Sequence, residues 1–213
     1  MNNKIAALFD LDGVLIDSES IYTEFWTSMD KLYPTGIENF AYKIKGTTLP
    51  DILNTYFPDP EVQAQLRVHL KKQEEQMVYR IFPHVENFLS QLRRAGFPTA
   101  IVTSSNNAKM KVLFDELPGF RDYFDVVITD SDVTKSKPDP EGYLLAAERL
   151  GVPPERCVVF EDSRSGLEAA RRSGAKVVAV ATTLRPADIE GRGDIVINSF
   201  DEVTPMRLES LID

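Results

Sequence analysis

Two aspartates two residues apart, Asp10 and Asp12, follow directly on an apolar run in LFDLDGVLIDSE, residues 8–19. Such a run reads as a buried strand, and two unpaired carboxylates at its end repel each other unless a cation is near. Three later stretches carry matching groups: Thr103-Ser104-Ser105-Asn106, the loop SKPDP with Lys137, and Glu161-Asp162. Crowded carboxylates require a cation, and oxygen ligands suit magnesium, which takes one or two protein carboxylates with waters and a phosphate oxygen. Lys137 adds a second positive charge, and cations beside a carboxylate keep it ionised and nucleophilic. The chemistry implied is phosphoryl transfer. Asp10 attacks phosphorus to give an aspartyl phosphate. Asp12, on the same side of an extended chain, protonates the leaving oxygen and then deprotonates the attacking water. Thr103 and the amides around Ser104 and Ser105 open a helix, a ready phosphate site. Lys137 and the metal neutralise charge in the transition state. Gly13 lets the chain turn sharply after the strand.

The elements that position these groups are short apolar runs bounded by turn signals. Residues 5–9, PTAIVT, DVVITD, CVVFED, 176–181 and 194–197 read as strands. Helical periodicity fills the gaps at 86–96, 107–117, 139–151 and 163–174, with Asp139 as N-cap, Pro140 at N1 and Gly151 just past the end. Strands alternating with helices predict an α/β fold, a Rossmann-like parallel sheet with helices on both faces. Such sheets bind ligands outside the carboxyl ends of their strands, where all four motifs fall. Residues 18–82 break the rhythm and read as helical throughout, with residues 59–82 as one long helix. They are too many for a simple crossover. They predict an inserted all-helical cap, leaving 1–17 and 83–213 as the core, with hinges near Asp17–Ser18 and Phe82–Pro83.

Plainer roles stand beside these. Glu161-Asp162 also caps the helix from Ser163, and Ser105 and Asn106 serve as helix caps as readily as substrate ligands. Lys45 and Thr47, in KIKGTT, either reach the substrate from the cap or sit in a solvated loop. Tyr22 faces the cleft or joins Phe25 and Trp26 in a core. His69 and His84 are isolated, and Cys157 reads as a quiet core thiol. The pairs Arg93-Arg94 and Arg171-Arg172 read as solvated helix faces.

A net charge of −9 argues against nucleic acid as a partner, without excluding an anionic substrate at a local site. The 43% apolar and 27% charged fractions are those of a globular protein. A single cysteine leaves no internal disulfide and fits a reducing compartment. The apolar run near the start is too short for a signal peptide or membrane span. The expectation is a cytoplasmic protein with no membrane partner, and a monomer, since a cap that opens and closes needs no partner.

DLDGVLIDSE, VTSSN, SKPDP and FEDSRSG occur in the order of the four motifs of the haloacid dehalogenase superfamily, which the chain resembles over nearly its whole length. The subgroup it most resembles holds β-phosphoglucomutase and small sugar-phosphate phosphatases. That resemblance implies Asp10 as nucleophile, Asp12 as acid/base, Thr103 as phosphate-binding hydroxyl and Lys137 as bridging lysine. It implies magnesium held by Asp10, the Asp12 backbone carbonyl and Asp162, with Glu161 a ligand through water or a supporting acid. Dehalogenases of the superfamily lack the second aspartate, so Asp12 argues for phosphoryl transfer. Mutases of this type carry a cap histidine where Tyr22 stands and a cap arginine where Leu49 stands. The expected activity is therefore hydrolysis of a small phosphorylated metabolite, a sugar phosphate by resemblance, with a phosphomutase as the alternative. A carbon–halogen hydrolase and a non-catalytic binding protein are more distant rivals.

Overall fold

The computed structural model of the chain describes residues 4–45, 47, 49–74 and 78–212. Six strands lie in one parallel sheet: β1 (Ala6–Phe9), β2 (Thr99–Val102), β3 (Val126–Ile128), β4 (Cys157–Glu161), β5 (Lys176–Val180) and β6 (Ile195–Ile197). Their order is β3-β2-β1-β4-β5-β6, every pairing parallel, as the strand–helix alternation predicts. The first strand is central, with Phe9 opposite Ile101 on β2 and Phe160 on β4. Three strand ends therefore meet at one level, where the strand order reverses and open α/β sheets form their crevice.

Alternation along β1 explains the two helical layers. Ala7 and Phe9 face a cluster that includes Phe88, Leu89 and Leu92 of α5 (Val85–Arg94) and Met110 and Leu113 of α6 (Asn107–Glu116). Ala6 and Leu8 face Tyr143, Ala146 and Ala147 of α7 (Glu141–Leu150) and Leu167 and Ala170 of α8 (Arg164–Arg172). With both faces covered, the strand is apolar at every position, and Phe9 stacks on Phe160 with ring centres 4.6 Å apart. The first turn of α7 differs by one residue from expectation. Its helix begins at Glu141 with Pro140 at the cap, and Asp139 accepts a hydrogen bond from the Glu141 amide at 3.1 Å.

Between β1 and α5 lie α1 (Glu19–Leu32), α2 (Phe40–Lys43), α3 (Leu49–Tyr56) and α4 (Pro60–Glu74). They bury a core of their own, made of Phe25, Trp26, Phe40, Ala41, Ile44, Ile52, Leu53, Phe57 and Leu66. Each of its large side chains contributes about 1.5–3 kcal/mol by leaving water, so the insertion holds itself together as a helical cap. The long helix expected over 59–82 is corrected: α4 ends at Glu74, and Tyr79–Phe82 are not helical. Residues 75–77 lie outside the described residues. Ile81 instead bridges Ile16 in antiparallel sense, the Asp17 amide donates to the Arg80 carbonyl at 2.8 Å, and the Phe82 amide donates to the Leu15 carbonyl at 3.0 Å. The polar periodicity of α4 runs on without a glycine or proline until Pro83, so the local pattern held no stop signal. Backbone pairing with the exit from the core sets the extended course. No described helix is long and apolar enough to cross a membrane.

Candidate active site

Asp10 directly follows β1 and is almost fully buried. Its carboxylate accepts from Lys137 Nζ at 2.6 Å. The same ammonium donates to Glu161 Oε1 at 2.7 Å and to the Val102 carbonyl at 3.1 Å, so all three of its protons are used. Lys137 reaches this point from the loop after β3, where the Lys137–Pro138 peptide is cis and Arg172 donates to the Pro138 carbonyl.

Glu161 is completely enclosed. Oε1 also accepts from the Tyr143 hydroxyl at 3.0 Å, and Oε2 accepts from the amides of Asp162 and Ser163 at 2.9 Å and from Ser163 Oγ at 3.1 Å. It therefore fixes the lysine and ties down the loop after β4. The loop then enters α8 through Ser163 Oγ, which accepts from the Gly166 amide at 3.0 Å. A β-carbon on Gly166 would lie 1.6 Å from Glu161 Oε1, so only glycine leaves room for this carboxylate.

Asp162 has one oxygen bonded by Thr183 Oγ1, while Oδ1 is buried without a hydrogen-bond partner. Asp10, Glu161 and Asp162 bring carboxylate oxygens within 4.8 Å of one another. Ionised together, the three buried carboxylates would exceed their one ammonium by two negative charges. Burial, then the Glu161 and Asp12 charges, push the Asp10 carboxyl up to about 7 against the pull of Lys137. Burial and the neighbouring Glu161 and Asp10 charges hold Asp162 well above the carboxylate range. An orphaned oxygen, an all-oxygen donor set and a missing charge of two fit a hard divalent cation. Gly13, at φ +78°, keeps the space: a β-carbon there would sit 2.0 Å from Asp162 Oδ2.

The Asp12 carboxylate does not join this triad. It accepts from Lys109 Nζ at 2.7 and 2.8 Å and from Ser105 Oγ at 2.9 Å. Burial alone would raise its pKa, but the Lys109 charge and these hydrogen bonds lower it. The two aspartates of one motif thus occupy opposite electrostatic environments. Thr103 is buried beside them and accepts from the Ser105 amide at 3.0 Å. Asn106 caps α6 by accepting from the Lys109 amide at 2.9 Å. Ser104 lines the open cleft with Thr103, Ser105, Asn106 and the two aspartates, in a space of about 320 Å³.

Of the cap residues singled out, Tyr22 reaches this cleft. Its hydroxyl donates to Glu74 Oε1 at 3.2 Å and accepts from Lys109 Nζ at 3.4 Å. Lys45 and Thr47 do not line the cleft; both line a neighbouring cavity inside the cap, where Lys45 pairs with Glu19 at 3.5 Å. Lys109, Tyr143, Thr183 and Glu74 escaped sequence reasoning. Lys109 left a signal: it is the third residue of α6, where the helix dipole disfavours a cation. Here the cation is offset by the Asp12 carboxylate facing it.

Fold and site together define an α/β enzyme with an acidic, lysine-bridged centre at the carboxyl ends of a parallel sheet. A family model for haloacid dehalogenase-like hydrolases matches residues 6–174, and the chain belongs to that family. It is similar to the Phosphorylated carbohydrates phosphatase of Thermotoga maritima, 34% identical over 177 residues, covering 79% of this chain and 81% of the relative. It is also similar to Hexitol phosphatase A of Escherichia coli, 30% identical over 208 residues and 92% of each chain. Among solved structures, a HAD hydrolase of family IA, variant 3, from Entamoeba histolytica has a TM-score of 0.82 at 25% identity. That match covers 98% of this chain and 99% of the other.

Proposed function

We propose that this haloacid dehalogenase-like phosphohydrolase is a magnesium-dependent phosphatase of a small phosphorylated metabolite, a sugar phosphate, working through an aspartyl phosphate on Asp10. The observation that carries the reading is the position of Asp10, held by Lys137 at the centre of three converging strand ends and opening on the cleft. The carboxylates of Asp10 and Asp162, with the Asp12 backbone carbonyl, would hold the cation, and Glu161 would support them. When bound, the cation supplies positive charge that keeps Asp10 ionised and draws in phosphate.

The chain's own residues do the rest. Asp10 attacks phosphorus, forming a carboxylate–phosphate bond as the ester bond breaks. Thr103 and the amides after it would hold the phosphoryl oxygens, and Lys137, bonded to Asp10, would add its positive charge beside them. Asp12, ionised in the unliganded site, would take up a proton from solvent as the anionic substrate binds, give it to the departing alkoxide, and later regain one from the water that cleaves the intermediate. Lys109 and Ser105 fix its carboxylate on the cleft side of the strand end. The cap, taken as residues 18–82, closes over the substrate and limits access of bulk water. Relatives named as phosphatases of phosphorylated carbohydrates and hexitols support the substrate class.

The test is phosphate release from sugar phosphates, nucleotides and pyrophosphate, with magnesium and with chelator, scanning the same reactions for isomerised sugar phosphate. Metal-dependent release concentrated on sugar phosphates, lost in Asp10→Asn, is the expected result. Isomerisation without release would make the protein a mutase despite Tyr22 and Leu49.

A further inference from the structure

Beside the catalytic cleft lies a second cavity of about 270 Å³, wholly within the cap. Tyr22 and Glu74 line both spaces, so the two meet at these residues. The volume is just below the range usual for small-molecule sites. Its floor includes Trp26 and Ile52, and Glu19, Lys45, Tyr22 and Glu74 supply much of its polar wall.

The lysines of the two spaces are already committed. Lys45 pairs with Glu19 at 3.5 Å, Lys109 with Asp12 at 2.7 Å, and Lys137 with Asp10 and Glu161. Among the described residues, neither space has a lysine or arginine without a carboxylate partner. None of the residues outside the described set is a lysine or arginine. Glu74, in contrast, accepts one hydrogen bond from the Tyr22 hydroxyl and forms no ion pair among the described residues. A group entering from the cleft therefore meets a free carboxylate oxygen, a phenol and an apolar floor. It meets no uncommitted cation.

We infer that the cap cavity is the leaving-group subsite, and that it selects phosphomonoesters whose alcohol is neutral or carries an amine, rejecting those with a second phosphate or a carboxylate. The inference rests on the phosphatase reading and names its substrate class. Hydroxyl and ammonium groups find acceptors at Glu74 and Glu19, while C–H faces lie on the Trp26 and Ile52 side. A second anion would be desolvated against these glutamates, and like charges brought together in a site are strongly disfavoured.

The experiment compares kcat/KM for four compounds with the same scissile ester: a hexose phosphate, its amino-sugar analogue, the bisphosphate of the same sugar, and the corresponding aldonic acid phosphate. The first two are expected to exceed the last two by ~10-fold or more. The ratio should shrink in Glu74→Gln and shrink further in Glu74→Lys. Equal or faster hydrolysis of the bisphosphate or the acid by the unmodified protein overturns the inference and leaves the phosphatase reading intact. An unchanged ratio in both variants overturns it as well. Release from none of the four overturns the phosphatase reading. Calorimetric binding of the same compounds with magnesium then decides the inference, tighter binding of the bisphosphate refuting it.

Discussion

Magnesium is expected to stabilise the folded protein far more near pH 8 than near pH 5, and Asp10 sets the sign. In the folded, metal-free protein its carboxyl is raised to about 7 from an ordinary 3.8, first by burial. Between those values the folded state holds a proton that the unfolded state has lost, so stability falls as pH rises. The loss is absent below the unfolded value and complete above the folded one. Each unit of the shift is worth about 1.4 kcal/mol. The two units between pH 5 and 7 therefore cost about 3 kcal/mol, which for a chain of this length lowers Tm by about 6–12 °C. A bound cation requires the ionised carboxylate and removes that cost. The assay is thermal unfolding across this pH window with chelator, with magnesium, and in Asp10→Asn, whose amide does not titrate. Wild-type Tm in chelator should fall relative to Asp10→Asn, and magnesium should close the gap. A metal-free Tm that stays level with the variant across the window would refute the reasoning.

Three further outcomes follow from the same geometry. Lys137→Met leaves Asp10 and Glu161 buried without their ammonium and should cost ~3–5 kcal/mol in denaturant unfolding; a loss under 1 kcal/mol would remove the lysine from the centre. Lys109→Met should lower kcat by up to ~100-fold with little change in KM, and Lys109→Arg should regain part of it. A rise in KM alone would make Lys109 a substrate ligand and not the support of Asp12. Gly13→Ala forces a β-carbon toward Asp162 at a positive φ and should destabilise by ~1–3 kcal/mol while weakening magnesium binding measured by calorimetry; unaltered metal affinity would separate Gly13 from the cation site.

Much of this architecture was legible because it is local. Ile5 to Phe9 are apolar at every position, the pattern of a strand covered on both faces, and the turn at Gly13 follows at once. Asp10, Glu161 and Asp162 stand at or directly after strand ends, so a parallel sheet alone brings them together, while Lys137 comes from the loop after β3. Lys109 and Tyr143 are different. Each sits inside a helix, and which group its tip reaches depends on how that helix is rotated and docked against the sheet. Tyr143 has the helical spacing of a core residue and is one, yet its hydroxyl also ends on Glu161. Tyr79 to Phe82 were misread because their extended course comes from pairing with Leu15 to Asp17, a contact some 65 residues away in sequence that no window records. The cap cavity was equally hidden, since Glu19, Lys45 and Glu74 come from three separate segments.

The two aspartates of one motif, set at a single strand end, lie in opposite electrostatic environments. Asp10 points into a space where negative charge is in excess, so its ionisation depends on a cation. Asp12 points to the other side, where Lys109 and Ser105 already balance it and hold it ionised. Opposite shifts on neighbouring carboxyls are the pattern by which acid/base and nucleophilic duties are separated. Here the difference comes from two lysines, one from the loop after β3 on Asp10 and one in the first turn of α6 on Asp12. The second also touches Tyr22 of the cap, whose hydroxyl is bound to Glu74. Asp12, to which we assign the proton transfers, is therefore linked through Lys109 and Tyr22 to the wall of the cap cavity. Asp10, by contrast, is held from the opposite side by Lys137.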